Sequence, residues 1–266
     1  MKFRISSGAL EKILLMLKIV ILLKTIVLMI AGSIIWYRLH LKKMIQKDRQ
    51  EKEKPALKSN SSLNQTQKVY GIDIAKYRLK ELEDLSPEDS ISFVYLKATD
   101  GLGYSNPNLY SEWKTAVKKN LVYGAYHFFR NHDDGQKQAE FFYEQIKPIY
   151  KSASMPLVLD VETASITHYP FDENVKNNVK LFLNRLEKLT QTKPMIYTNY
   201  YFGEAYLTDS NFAQYPLWVA DYTSQKEPRV PAVWKRKGWS VWQKTNTYEQ
   251  HNDLDLAQPA FYEIHR

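Results

Sequence analysis

The sequence contains no cysteine. That excludes a disulfide framework, a thiolate metal site and a cysteine nucleophile. It does not fix the redox compartment, because many exported bacterial proteins lack cysteine as well. Glycine is scarce, at nine residues. No glycine-rich phosphate loop and no G-x-S-x-G elbow can be found among them, which argues against nucleotide binding and α/β-hydrolase chemistry. The six histidines (40, 127, 132, 168, 251 and 265) show no ligand spacing such as H-E-x-x-H, so no metal and no other cofactor is expected. His127 reads as a packed strand residue that hydrogen-bonds near a cleft. Acidic residues are scarce in one region only. Residues 1–68 carry 14 Lys and Arg against 4 Asp and Glu, a net of +10, whereas residues 69–266 carry 23 against 25, a net of −2. The overall charge of +8 would by itself suggest a nucleic-acid partner, but it belongs to the N-terminal segment. No nucleic-acid role is expected.

That segment holds a nineteen-residue apolar run, IVILLKTIVLMIAGSIIWY (19–37), interrupted by Lys24 alone. About 20 apolar residues span a bilayer. Lys24 lies near the N-terminal end, where its side chain can snorkel to the head groups, and Trp36 and Tyr37 sit where an interfacial aromatic belt belongs. A single-pass membrane anchor is expected, preceded by a basic cytoplasmic N-terminus (1–18), with the rest of the chain exported. A cleaved signal peptide and a basic amphipathic helix lying on the membrane (Lys12, Lys18, Lys24) are the competing readings. Residues 38–68 are polar, with almost no apolar content or period from Lys42 onward, and read as a disordered tether.

From Val69 onward strands and helices alternate. GIDIA (71–75), FVYLKAT (93–99), VYGAYHFF (122–129), LVLDVE (157–162), PMIYTN (194–199), PLWVADY (216–222) and WSVWQ (239–243) read as strands. LYSEWKTAVKKN (109–120) and GQKQAEFFYEQIK (135–147) read as helices. A third helix is capped by Asp172, with Val175, Val179, Phe182, Leu183, Leu186 and Leu189 on one face. Such alternation predicts an α/β domain over residues 69–266, its parallel sheet closed as a modified (β/α) barrel.

Within LVLDVE, Asp160 and Glu162 fall on the same face of a strand, roughly 6.5–7 Å apart along the chain. Burying such a pair without partners costs several kcal/mol per ion. Two close carboxylates cannot easily both ionise, so one stays protonated to higher pH, as an acid that cleaves a glycosidic bond requires. A lone D-x-E fits a salt-bridged or solvent-facing pair at a strand terminus better than a catalytic one. The other strand ends add weight to the catalytic reading. Asp73 lies in the first strand, Asp100 ends KATD, and Asp253 and Asp255 lie in the final NDLDLA; the 19 tyrosines supply rings that can stack on sugars.

In order along the chain, GIDIAKY, FVYLKATDG, LVYGAYHFF, LVLDVE, MIYTN, PLWVADY, VWQ and NDLD resemble the motifs of glycoside hydrolase family 25 lysozymes, muramidases of bacteria and their phages. The resemblance covers nearly all of residues 69–266. It implies a barrel that cleaves the β-1,4 bond between N-acetylmuramic acid and N-acetylglucosamine in peptidoglycan, acting as a monomer. It implies Glu162 as general acid, Asp160 as the partner of the substrate's 2-acetamido group, and Asp73 and Asp253 as the remaining acids; Asp255 could replace Asp253 in the alignment. Asp100, Tyr126, Tyr197 and Trp242 would line the sugar groove. The chain departs from the family at Asp100, where Glu is common, at Arg78, where Gln is common, and at Ala75, where Ser is frequent. A wall-binding module without turnover and a membrane-tethered scaffold remain as alternatives. The basic, aromatic WKRKGWSVW (234–242) reads either as a contact for anionic wall polymer or as a solvated turn.

Overall fold

The computed structural model describes residues 69–75, 79–85, 90–150, 155–167, 173–248 and 252–266. The expected anchor, its flanks and the capping Asp172 lie outside these residues. Among the described residues no helix is long and apolar enough to cross a membrane.

The strands are β1 (Val69–Ile74), β2 (Ile91–Asp100), β3 (Tyr104–Ser105), β4 (Val122–Phe128), β5 (Val158–Asp160), β6 (Met195–Asn199), β7 (Leu217–Ala220), β8 (Val241–Tyr248) and β9 (Asn252–Ala257). The helices are α1 (Leu79–Asp84), α2 (Leu109–Lys118), α3 (Gly135–Tyr150), α4 (Glu173–Thr190), α5 (Tyr200–Tyr206) and α6 (Pro259–Glu263). The strand order β1-β9-β8-β7-β6-β5-β4-β2 closes through a β1–β2 pairing, and β3 extends β2 as a short antiparallel arm. All neighbours around the ring are parallel except β9, which runs antiparallel to both β8 and β1. The result is a mixed eight-stranded barrel and not an all-parallel one. The connection from β8 to β9 leaves no room for a crossover helix, so the last strand returns as a hairpin.

Strands with both faces covered read as near-continuous apolar runs, and the two faces pack separately. Ile72, Ile74, Val94 and Leu96 face outward under the helices with Phe142, Phe182 and Leu186. Phe93, Tyr95, Tyr126, Val158, Met195, Tyr197 and Trp218 fill the barrel. Tyr95 stacks on Trp218 with centroids 4.6 Å apart, and Tyr197 meets the same indole edge-on at 4.9 Å. Two glycines make room for these rings. A Cβ on Gly71 would lie 2.3 Å from the Phe93 ring, and one on Gly124 would lie 2.2 Å from the Tyr95 ring. Each large aromatic removes roughly 150–250 Å² from water, on the order of 4–6 kcal/mol at about 25 cal/mol/Å². Several such rings offset the several kcal/mol that each buried acid above them costs.

Candidate active site

The acids gather at one end of this aromatic filling, at the C-terminal ends of the parallel strands. Strand alternation explains why. With Ile72 and Ile74 facing the helices, Asp73 must face the interior, where it is buried. Antiparallel β9 sets Asp253 directly opposite Asp73 and Asp255 opposite Gly71. Asp160 ends β5, in register with Phe128 of β4 and Tyr197 of β6. Glu162 lies just past the strand, yet its backbone stays extended at φ −147°, ψ −176°, so its side chain keeps to the same side as that of Asp160. The turn that follows fixes it. The Glu162 N–H donates to Ser165 Oγ at 3.0 Å, and the Ser165 N–H donates to the Glu162 carbonyl at 2.9 Å. Glu162 is half-buried, whereas Asp160, Asp73 and Asp255 are buried.

Partners differentiate the acids. Asp73 Oδ2 accepts from Gln243 Nε2 at 2.6 Å, while Gln243 Oε1 accepts from the hydroxyls of Tyr197 at 2.9 Å and Tyr222 at 2.8 Å. Asp255 Oδ1 accepts from the Trp218 indole at 2.9 Å. Asp160 Oδ1 and Asp255 Oδ2 have no hydrogen-bond partner among the described residues. Burial pushes the Asp160 carboxyl well above the usual range, and the charge of Glu162 adds to it. Burial, then the charge of Asp253, does the same to Asp73; burial, then the charge of Asp73, raises Asp255. Burial raises Glu162 too, with Lys97 opposing and Asp253 reinforcing the shift. Protons are therefore held in this cluster at pH values where an exposed carboxyl has lost them.

Lys97 reaches the cluster from β2, its side chain 12% exposed. It pairs with Asp100 at 3.0 Å and lies 4.6 Å from the centroid of the Phe128 ring. Arg130 grips the same Asp100 with Nε at 2.6 Å and Nη2 at 3.0 Å, and also covers Phe128 at 4.6 Å. Burial opposes ionisation of Asp100, but the hydrogen bonds from Arg130 and the charge of Lys97 outweigh it and hold the carboxyl below its ordinary value.

Of the residues expected from sequence, Asp73, Asp160, Glu162, Asp253, Tyr126 and Tyr197 come together, with Tyr126 close enough to feel the charges of Asp73, Asp160 and Asp253. Asp100 stands beside them, occupied by its two cations. Trp242 does not join them. It is 1% exposed on the outer face of β8, where its indole donates to the Asp221 carbonyl at 2.8 Å. The next residue, Gln243, is the one that turns inward. Gln243, Tyr222 and Lys97 were not singled out from sequence. Alternation marks all three: Gln243 follows inward Val241, Lys97 follows inward Phe93 and Tyr95, and Tyr222 lies two residues past inward Ala220. His127 is buried between Thr99 Oγ1 at 2.7 Å and Gln138 Oε1 at 2.9 Å, and burial pushes its pKa down to about 4, so it is a neutral structural group. No three His, Asp or Glu among the described residues are placed to hold a metal ion.

Residues 61–253 match the family model described as "Glycosyl hydrolases family 25". Among curated proteins, "Uncharacterized protein YegX" of Escherichia coli K12 is 26% identical over 174 residues, covering 63% of this chain and 61% of that protein. The chain thus spans about three-fifths of the length of that relative. The N,O-diacetylmuramidase of a Chalaropsis species is 26% identical over 190 residues, 68% of this chain and 89% of that protein. Among solved structures, a muramidase from Trichobolus zukalii superimposes with a TM-score of 0.59 at 29% identity, covering 70% of this chain and 92% of that one.

Proposed function

The chain belongs to glycosyl hydrolase family 25, and on that premise we propose that the barrel is a peptidoglycan hydrolase cutting the β-1,4 bond between N-acetylmuramic acid and N-acetylglucosamine. The observation that carries this reading is Glu162. It is a half-buried carboxyl at the barrel mouth, fixed by the Ser165 turn beside buried Asp160, with its proton affinity raised. The names of the Chalaropsis and Trichobolus relatives, a diacetylmuramidase and a muramidase, support the same substrate class.

Glu162 protonates the glycosidic oxygen as its bond to the sugar carbon breaks. Positive charge then grows on the ring; it favours the ionised forms of Asp73, Asp160 and Asp253, which in turn stabilise it electrostatically. Asp160, with one oxygen unpartnered, is placed to accept from the substrate's acetamido N–H and to promote its attack on the ring carbon, giving retention. Tyr126 and Tyr197 wall the site. Tyr222, half-exposed with its hydroxyl tied to Gln243, offers a ring for stacking on a sugar. Asp100 acts by holding Lys97 and Arg130.

Residues 19–37 are the membrane anchor in this reading, and residues 38–68 a tether whose reach is about 30 Å for a flexible chain at roughly 5–6 Å × √n. The barrel works as a monomer on the extracytoplasmic side, on wall close to the membrane.

The test is incubation of the purified chain with peptidoglycan, the products being reduced and identified by mass spectrometry. New reducing-end muramic acid is expected, and Glu162→Gln should lower its rate on the order of 10²–10⁴-fold. A folded chain that sediments with peptidoglycan but releases nothing would be a binding module instead.

A further inference from the structure

The end of the barrel opposite the acids has its own character. Val69, Ala257 and Val241 stand in register on the adjacent strands β1, β9 and β8. The point where residues 1–68 join the barrel is therefore two strands, about 10 Å, from the start of β8. Immediately before β8 runs an exposed turn, Lys235-Arg236-Lys237, followed by half-buried Trp239. None of the three cations has an ion-pair partner among the described residues. The C-terminal helix α6 closes the same end, its Tyr262 ring 6.3 Å from Phe93 inside the barrel, and it presents Ile264, 76% exposed. Acids at this end are already engaged: Glu227 accepts from the Trp239 indole at 2.9 Å, Glu204 accepts from the Ala232 N–H at 2.7 Å, and Glu263 pairs with Arg266 at 2.9 Å. Lysines at the ends of α2, α3 and α4 also face this way, but a helix C-terminus favours cations on its own account. The 235–237 turn follows only the three-residue 3₁₀ turn Ala232–Trp234, whose dipole is too short to account for three consecutive cations.

We propose that this end of the barrel docks onto anionic phospholipid head groups, with Lys235, Arg236 and Lys237 on the phosphates and Trp239 and Ile264 at the interface. Three observations select a lipid surface over another polyanion. The patch combines cations with an exposed aliphatic and an indole, the mixture that interfacial segments use. It lies at the end where the chain's own apolar run is attached by its tether. And it lies opposite the acidic mouth, so that docking turns the cleft away from the bilayer toward the glycan. The orientation rests on the anchor reading above; the affinity for anionic lipid does not.

The full chain is reconstituted with vesicles of phosphatidylcholine alone or with about a third phosphatidylglycerol, and surface amines are acylated and counted by mass spectrometry. Lys235 and Lys237 should be labelled at least about threefold more slowly with the anionic vesicles, while Lys137, on the first turn of α3 at the mouth end, stays unchanged. Raised salt should abolish the protection. A K235Q/R236Q/K237Q variant, whose side chains are exposed and outside the catalytic machinery, should lose salt-sensitive flotation with anionic vesicles at unchanged hydrolysis of glycan fragments. Equal labelling in both lipids overturns the proposal, as does protection by a soluble poly(glycerol phosphate) without any by the anionic vesicles. Flotation with neutral vesicles in high salt reports the anchor separately; if it fails, the anchor reading falls while the labelling contrast still decides the docking face.

Discussion

Asp160 and Glu162 share a strand edge but not an environment. Asp160 is sealed in, one oxygen without a partner, and has the stronger claim on a shared proton; Glu162 is half-open and nearer to giving a proton up. Their apparent titrations belong to the pair, and Lys97 is the cation that both feel. A positive charge favours the carboxylate, so removing it must raise the proton affinity of the pair. Lys97→Met should therefore move the alkaline limb of the kcat/KM profile to higher pH, extending activity upward, while Asp100 loses one of its two cations. A pH profile with an unmoved limb would show that Lys97 serves only as structure. On the proposed mechanism Glu162 cannot be spared, because its carboxyl is half-exposed and its proton affinity is raised.

Strand alternation decides which residues reach this cluster. It made LVLDVE legible in the sequence, because two acids at positions i and i+2 on an otherwise apolar strand can only share a face. The same rule applied to VWQ places Trp242 outside and Gln243 inside, and the pull of an aromatic toward a sugar groove obscures it. Trp242→Phe should therefore cost about 0.5–1.5 kcal/mol of stability, for the lost hydrogen bond to the Asp221 carbonyl, and leave kcat/KM on soluble fragments unchanged. A rise in KM would return Trp242 to the groove. Antiparallel β9 was less legible: NDLDLA is short and acid-rich, and its direction depends on a hairpin whose geometry is set by pairing with both β8 and β1. Alternation puts Lys97 and Tyr222 on inward positions as well, but that they meet the acids depends on closure of the barrel, which no local pattern encodes. Gly124 shows the other side of the rule. On an inner-face position beside Tyr95 it reads from sequence only as a weak spot in a strand, yet the ring occupies the place of its Cβ. Gly124→Ala should destabilise by about 1–3 kcal/mol from overpacking, seen as a lower midpoint in thermal denaturation. An unshifted midpoint would mean that the Tyr95 ring moves freely.

At the scale of the whole molecule, charge and stability are linked through pH. Asp73, Asp160 and Asp255 have folded-state proton affinities raised by burial above those of an unfolded chain. The stability they contribute is complete below about pH 4, the ordinary carboxylate value, and is lost as pH rises through their raised folded values. Glu112, a further buried acid on α2, follows the same rule. It accepts from Asn106 at 2.8 Å with its other oxygen unpartnered among the described residues, and burial raises its pKa to about 7. His127 acts in the opposite direction. Its folded value near 4 lies below the usual 6.5, so its contribution is complete above pH 6.5 and is lost as pH falls through that window. Between about pH 4 and 6.5 the two influences oppose each other. Above pH 6.5 only the carboxyls remain, and the fold must weaken as they ionise. The thermal midpoint should fall as pH rises above 6.5, and Glu112→Gln, which keeps an acceptor for Asn106 but cannot ionise, should flatten the pH dependence between about pH 4.5 and 7. Asp160→Asn should flatten it further, because burial raises that carboxyl as well. Because Glu112 lies outside the catalytic cluster, its variant should alter the stability curve and leave the pH–rate limb of Glu162 in place. A midpoint that rises above pH 6.5 would mean that Asp73, Asp160 and Asp255 already hold their charges there, against the raised proton affinity that burial gives them.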